Sequence, residues 1–132
     1  MVILNETHFS KALILFAHGS KDLLWRRSID DLALRIRLKA PDIYVSSAFL
    51  EFIEPDLPKL VNKIISLNIN YISISPIFLG LGKHVRNDLP SLFSQIQLEH
   101  PNIIFKLQGP IGENPKLIDL MAKIALEPFI LN

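Results

Sequence analysis

The sequence contains no cysteine. Disulfide scaffolds, thiolate metal sites and cysteine nucleophiles are thereby excluded, and a reducing, cytoplasmic setting is expected. No apolar run approaches the ~18 residues that a membrane-spanning helix needs. The apolar stretch near the start is broken by Glu6, His8 and Lys11, with neither a basic leader nor a small-residue cleavage site, so no secretory signal is expected. Charge of one sign is missing as well: 14 Lys and Arg stand against 13 Asp and Glu, for a net +1. That balance gives no electrostatic footing for nucleic acid as the main partner. Neither G-x-G-x-x-G nor G-x-x-x-x-G-K-[ST] occurs, which disfavours a nucleotide-phosphate loop.

What is present is a globular composition, 49% hydrophobic and 20% charged over 132 residues, enough for one domain with a real core. The expectation is a single domain over residues 1–132, with 1–10 a lead-in and 127–132 a tail. Short apolar runs at Ala12–Ala17, Ile43–Leu50, Tyr71–Leu79 and Ile103–Leu107 read as strands. Between and after them, apolar residues recur with helical period, as in Trp25, Ile29, Leu32, Ala33 and Ile36, or Leu117, Leu120, Met121 and Ile124. Helix starts are expected at Asp22, Asp56, Asn87 or Asp88, and Asn114 followed by Pro115. Strict β–α alternation predicts a three-layer α/β/α sandwich with a four-stranded parallel sheet in the order 2-1-3-4. Near-continuous apolar strands such as ALILFA fit, because parallel strands are buried on both faces.

In such a sheet, ligands bind beyond the carboxyl ends of the strands, where strand order reverses. The polar residues that fall there are His18 after strand 1, Glu51 after strand 2, and the run Leu79-Gly80-Leu81-Gly82-Lys83-His84 after strand 3. A lone loop histidine is most simply a strand-end residue bonded to backbone. Two histidines expected to face one another, with a carboxylate nearby, can instead bind a metal or move protons. Glu51 ends an apolar run, where a carboxylate must be paired or functional; the simple partners are Lys83 or Arg86. Gly80 and Gly82 fit a tight turn, and also the close approach of backbone to a flat ligand. Lys21, Lys83 and Arg86 add positive charge at the same rim, which suits a polycarboxylate ligand. His8 and His100 are read as surface residues.

With these residues assembled, the chain resembles the small sirohydrochlorin cobaltochelatases of the CbiX type and their iron- and nickel-inserting relatives. The resemblance rests on AHGSKD at 17–22, AFLEFIEPDLP at 48–58, PIFLGLGKHVRNDLP at 76–90 and GPIGENPKL at 109–117. It implies a class II chelatase fold and an ATP-independent enzyme, with Co2+, Fe2+ or Ni2+ as metal substrate and no prosthetic group. It further implies His18 as metal ligand and proton acceptor, and His84 as second metal ligand. Glu51 and the run Leu79, Gly80, Leu81, Gly82, Lys83 and His84 would contact the tetrapyrrole. Lys83 departs from the glycine or small residue often seen before that histidine. The family also includes longer chains of two joined units, which implies that the short form pairs as a homodimer. The alternatives weighed are a carrier using the same pocket without turnover, and phosphoryl chemistry on a flavodoxin-like fold. For the latter, a receiver domain would need acidic residues where His18 stands, and a histidine phosphatase an arginine where Ala17 stands.

Overall fold

The computed structural model describes residues 8–130. Four strands alternate with four helices: β1 (Lys11–Ala17), α1 (Arg27–Lys39), β2 (Tyr44–Phe49), α2 (Leu57–Ser66), β3 (Tyr71–Pro76), α3 (Lys83–Glu99), β4 (Ile104–Leu107) and α4 (Pro115–Ile130). A 3-10 turn at Leu23–Arg26 leads into α1, and another at Ile111–Glu113 leads into α4. All pairings are parallel and the sheet order is β2-β1-β3-β4, as the alternation predicts. Residues 1–7 of the expected lead-in and 131–132 of the expected tail lie outside the described residues.

The central strand β1 explains why the sheet must be covered twice. Ile14, Leu15, Phe16 and Ala17 are all buried, and alternate residues point to opposite faces. On one face Ala12, Ile14 and Phe16 pack with Leu60, Val61 and Ile64 of α2 and with Leu89 and Ile96 of α3. On the other, Leu15 and Ala17 meet Ile29 and Ala33 of α1. Each fully buried Ile, Leu, Val or Phe among these contributes about 1.5–3 kcal/mol. Two helix starts behave as their sequences predict. Asp56 accepts a hydrogen bond from the backbone N–H of Lys59, and Asn114 accepts one from Lys116 just inside Pro115.

Four details differ from the sequence reading. β3 ends at Pro76 rather than at Leu79, because proline brings no N–H to the ladder; one further bond, Ile77 N–H to Phe16 C=O at 2.7 Å, closes the pairing. Asp22 caps the 3-10 turn instead of α1, accepting from Leu24 N–H at 2.9 Å. α3 starts at Lys83 with Gly82 as its cap, four residues before Asn87. Its first bond is Arg86 N–H to Gly82 C=O at 2.9 Å, and Pro90 lies inside the helix. Lastly, α4 runs on to Ile130 but buries no residue, so Leu117, Leu120, Met121 and Ile124 do not join the core.

Candidate active site

The strand order reverses between β1 and β3, so the carboxyl ends of those strands open onto the crevice expected to hold ligand. The β1–β2 ladder does not stop with its strands. Leu50 N–H donates to Ala17 C=O at 2.9 Å, and Glu51 N–H donates to His18 C=O at 3.0 Å. These two bonds carry the parallel register, in which Ala17 faces Phe49, one step beyond the sheet. The loops after β1 and β2 therefore leave side by side. Gly19 completes the approach: its φ of +94° is open to glycine, and the Glu51 carbonyl fills the space where a side chain would stand.

The outcome is a paired imidazole and carboxylate. His18 Nε2 lies 3.4 Å from Glu51 Oε1, both side chains being half exposed. Glu51 is thus partnered by His18, and not by Lys83 or Arg86. The other ring nitrogen, Nδ1, lies 3.1 Å from the Gly19 carbonyl. A carbonyl can only accept, so that contact is a hydrogen bond only when Nδ1 carries a proton; Nε2 is the nitrogen turned toward Glu51.

After β3 the chain dips back into the core at Phe78 and turns out at Leu79, which is 69% exposed. Gly112 holds this turn from the far side, donating its N–H to Phe78 C=O at 2.9 Å and packing flat against the Leu79 backbone. Leu81 packs on the edge of the core. Lys83 and His84 then form the first turn of α3.

His18 and His84 line one cavity of about 690 Å³. Leu50 and Glu51 join His18 on one wall, while Gly82, Lys83, His84, Val85, Asp88, Leu89 and Leu92 come from the start of α3. The volume falls within the range of small-molecule sites, and the lining is apolar with a few convergent polar groups. Leu79, Gly80 and Leu81 do not line it; they shape the loop that delivers Gly82 to His84. Lys21 and Arg86 also stand outside it, Lys21 lying against the Phe52 ring. Among the described residues, no three His, Asp or Glu side chains converge on a common metal position. His8 is exposed, and His100 is half-buried at the end of α3.

Sequence reasoning missed Val85, Asp88, Leu89 and Leu92 as cavity residues. Their signal was the spacing that continues from His84 at i+1, i+4, i+5 and i+8, one face of a helix that starts earlier than expected. Gly112 was quoted in a motif without a role. No local pattern marks it, since its contact is with a loop over thirty residues away.

Known proteins of the same kind bear on this site. A Sirohydrochlorin cobaltochelatase of Methanococcus aeolicus is 33% identical over 89 residues, covering 67% of this chain and 62% of that protein. The chain thus spans less than two thirds of the length of that curated relative. Among solved structures, a CbiX protein of Marinobacter aquaeolei VT8 superimposes with a TM-score of 0.76 at 29% identity, covering 90% of this chain and 97% of that one. The sirohydrochlorin chelatase SirB of Bacillus subtilis subspecies spizizenii, in complex with cobalt, shares the fold with a TM-score of 0.71 at 19% identity, covering 89% of this chain and 52% of that one. The family model CbiX matches residues 12–127, nearly the whole of the described fold, and this chain is a member of the CbiX family.

Proposed function

We propose that this protein is a sirohydrochlorin chelatase, inserting Co2+, Fe2+ or Ni2+ into the tetrapyrrole without ATP. The observation that carries the reading is the single cavity lined by His18, Glu51 and His84 at the switch point of the sheet. The names of its relatives support the same substrate: one is a cobaltochelatase, and another, 24% identical, is the chloroplastic sirohydrochlorin ferrochelatase of Arabidopsis thaliana.

Metallation exchanges two pyrrole N–H protons for one divalent ion. Neutral imidazoles at His18 and His84 would hold the incoming metal substrate on one macrocycle face, loosely enough to release it. Passage of the metal to the macrocycle would free His18 Nε2, the ring nitrogen that faces Glu51, to accept the first pyrrole proton. The Glu51 carboxylate at 3.4 Å then faces the imidazolium and stabilises its charge. Return of that proton to solvent readies the same nitrogen for the second. Lys83, in the cavity wall, offers a cation to the ligand's carboxylates. No step consumes a nucleotide.

A carrier with the same pocket would bind tetrapyrrole and metal but release each product only once. The deciding experiment is an absorbance assay of metal-free sirohydrochlorin with each metal in turn, at substrate in large excess over protein. Many metallations per protein molecule establish the chelatase; at most one establishes the carrier.

The working unit in this reading is a homodimer. Support comes from α4, whose charges Lys116, Asp119, Lys123 and Glu127 fall at intervals of three, four and four residues, a single stripe. Around the rest lie Leu117, Ile118, Met121, Ile124, Leu126 and Phe129, on a helix with no buried residue. The edge strand β4 is likewise open on the face that carries α1, where Ile104 and Lys106 are exposed. A second copy would satisfy both surfaces by closed two-fold pairing.

A further inference from the structure

We infer that Phe52 is a substrate-binding residue, an apolar platform for the flat face of the tetrapyrrole; this rests on the function proposed above. Phe52 follows Glu51 directly and has a φ of +71°, a left-handed backbone that is a genuine outlier for a bulky side chain. Strain of this kind persists only where the surroundings impose it, and it gathers at functional sites. Core packing does not supply the compensation. The ring is 57% exposed and belongs to none of the buried clusters.

What the ring does meet is Lys21, whose Nζ lies 5.3 Å from its centroid. Lys21 sits three residues after His18, and Phe52 one residue after Glu51. The aromatic face and the ammonium are therefore mounted on the same two loops that pair His18 with Glu51. A planar ligand edged with carboxylates needs both features, a ring to lie against and a cation beside it. The left-handed turn at residue 52 leaves that ring in solvent, one residue from the cavity-lining Glu51 and outside the cavity lining itself.

The test compares wild type with Phe52→Gly, Phe52→Asn and Phe52→Tyr. Glycine and asparagine suit a left-handed backbone, so both relieve strain while removing the ring. Tyrosine keeps the ring. Metal-free sirohydrochlorin is titrated by fluorescence, with thermal unfolding and sedimentation run on each variant. Platform loss raises Kd about tenfold in Phe52→Gly and Phe52→Asn, with the thermal midpoint unchanged or higher and the oligomer intact. Phe52→Tyr stays within about twofold of wild type. Wild-type affinity in the glycine or asparagine variant overturns the inference, and so does a lowered midpoint with a dissociated oligomer, which assigns the ring to subunit packing. A wild-type protein that binds no sirohydrochlorin overturns the chelatase reading itself, and the platform with it.

Discussion

The α-carbon of Gly19 lies against the carbonyl of Glu51, so closely that a Cβ at residue 19 would collide with it. One contact thus sets how near the loops after β1 and β2 can run, and with it the separation of His18 from Glu51. Gly19→Ala meets two penalties, the collision and an unfavourable φ of +94°. A stability loss of about 2 kcal/mol is expected, read as a lower urea midpoint at unchanged slope. Metallation should fall further than the folded fraction does. A variant with wild-type stability would mean that the two loops do not need this contact.

His18→Ala and His84→Ala should each lower metallation at least about a hundredfold, the usual loss when a positioned proton acceptor or ligand is removed. Both side chains are partly exposed, so circular dichroism and thermal unfolding should match wild type. Near-normal rates in both variants would end the mechanism proposed here. Glu51→Gln should fall between, because it keeps the shape and removes the charge facing Nε2.

The fold was legible because its signals are local. Apolar runs and cap residues such as Asp56 and Asn114 place the elements, and β–α alternation then fixes a parallel order. Both candidate histidines stood out by their place in the alternation: His18 directly follows β1, and His84 lies where the segment after β3 enters α3. The early start of α3 was hidden: Asp88-Leu89-Pro90 looks like a cap with proline in the first turn, whereas the helix begins at Lys83 and absorbs Pro90. The pairing of Glu51 with His18 depends on a ladder bond beyond the strand end, which no spacing encodes. The exposure of α4 was equally invisible, since its periodic apolar residues look the same whether they meet this chain or another.

Substrate KM should rise with ionic strength. Sirohydrochlorin carries many carboxylates; Lys83 lines the cavity, Lys21 lies against Phe52, and Arg86 stands in the first turn of α3. Salt shortens the reach of such charges to about 8 Å at physiological strength and about 3 Å at 1 M. Steady-state assays from low to high salt measure the effect. A flat KM would mean that these cations only face water.

Sedimentation at micromolar concentration should find a dimer, and Ile124→Glu together with Phe129→Glu should convert it to monomer by placing charge on the apolar side of α4. A single wild-type species near 15 kDa with full activity would refute the pairing.

Acid should cancel one surface pair in a defined direction. The Lys59 ammonium, hydrogen-bonded at 2.9 Å, holds the Glu54 carboxyl below its usual value, and Glu54 in turn raises Lys59. A lowered carboxyl stabilises the fold fully above its unfolded value of about 4.3, and that contribution disappears as pH falls through the lower folded value. A raised ammonium works oppositely: its share is complete below about 10.4 and lost as pH climbs through the higher folded value. Lys59→Met should therefore have a slightly lower thermal midpoint than wild type at pH 7, with the gap closing toward pH 3. A gap that widened in acid would contradict this sign.

The clasp between Gly112 and the Leu79 turn makes the two ends of the chain unequal for anyone attaching something to them. Gly112 N–H holds Phe78 C=O, and α4 begins three residues later, so a load on that helix is transmitted to the turn that precedes His84. Phe9 packs against Tyr44 at the opposite end of the sheet, where the strands begin. A dye, a surface tether or a fused domain ahead of β1 leaves the crevice mechanically isolated. The same cargo beyond α4 pulls on it.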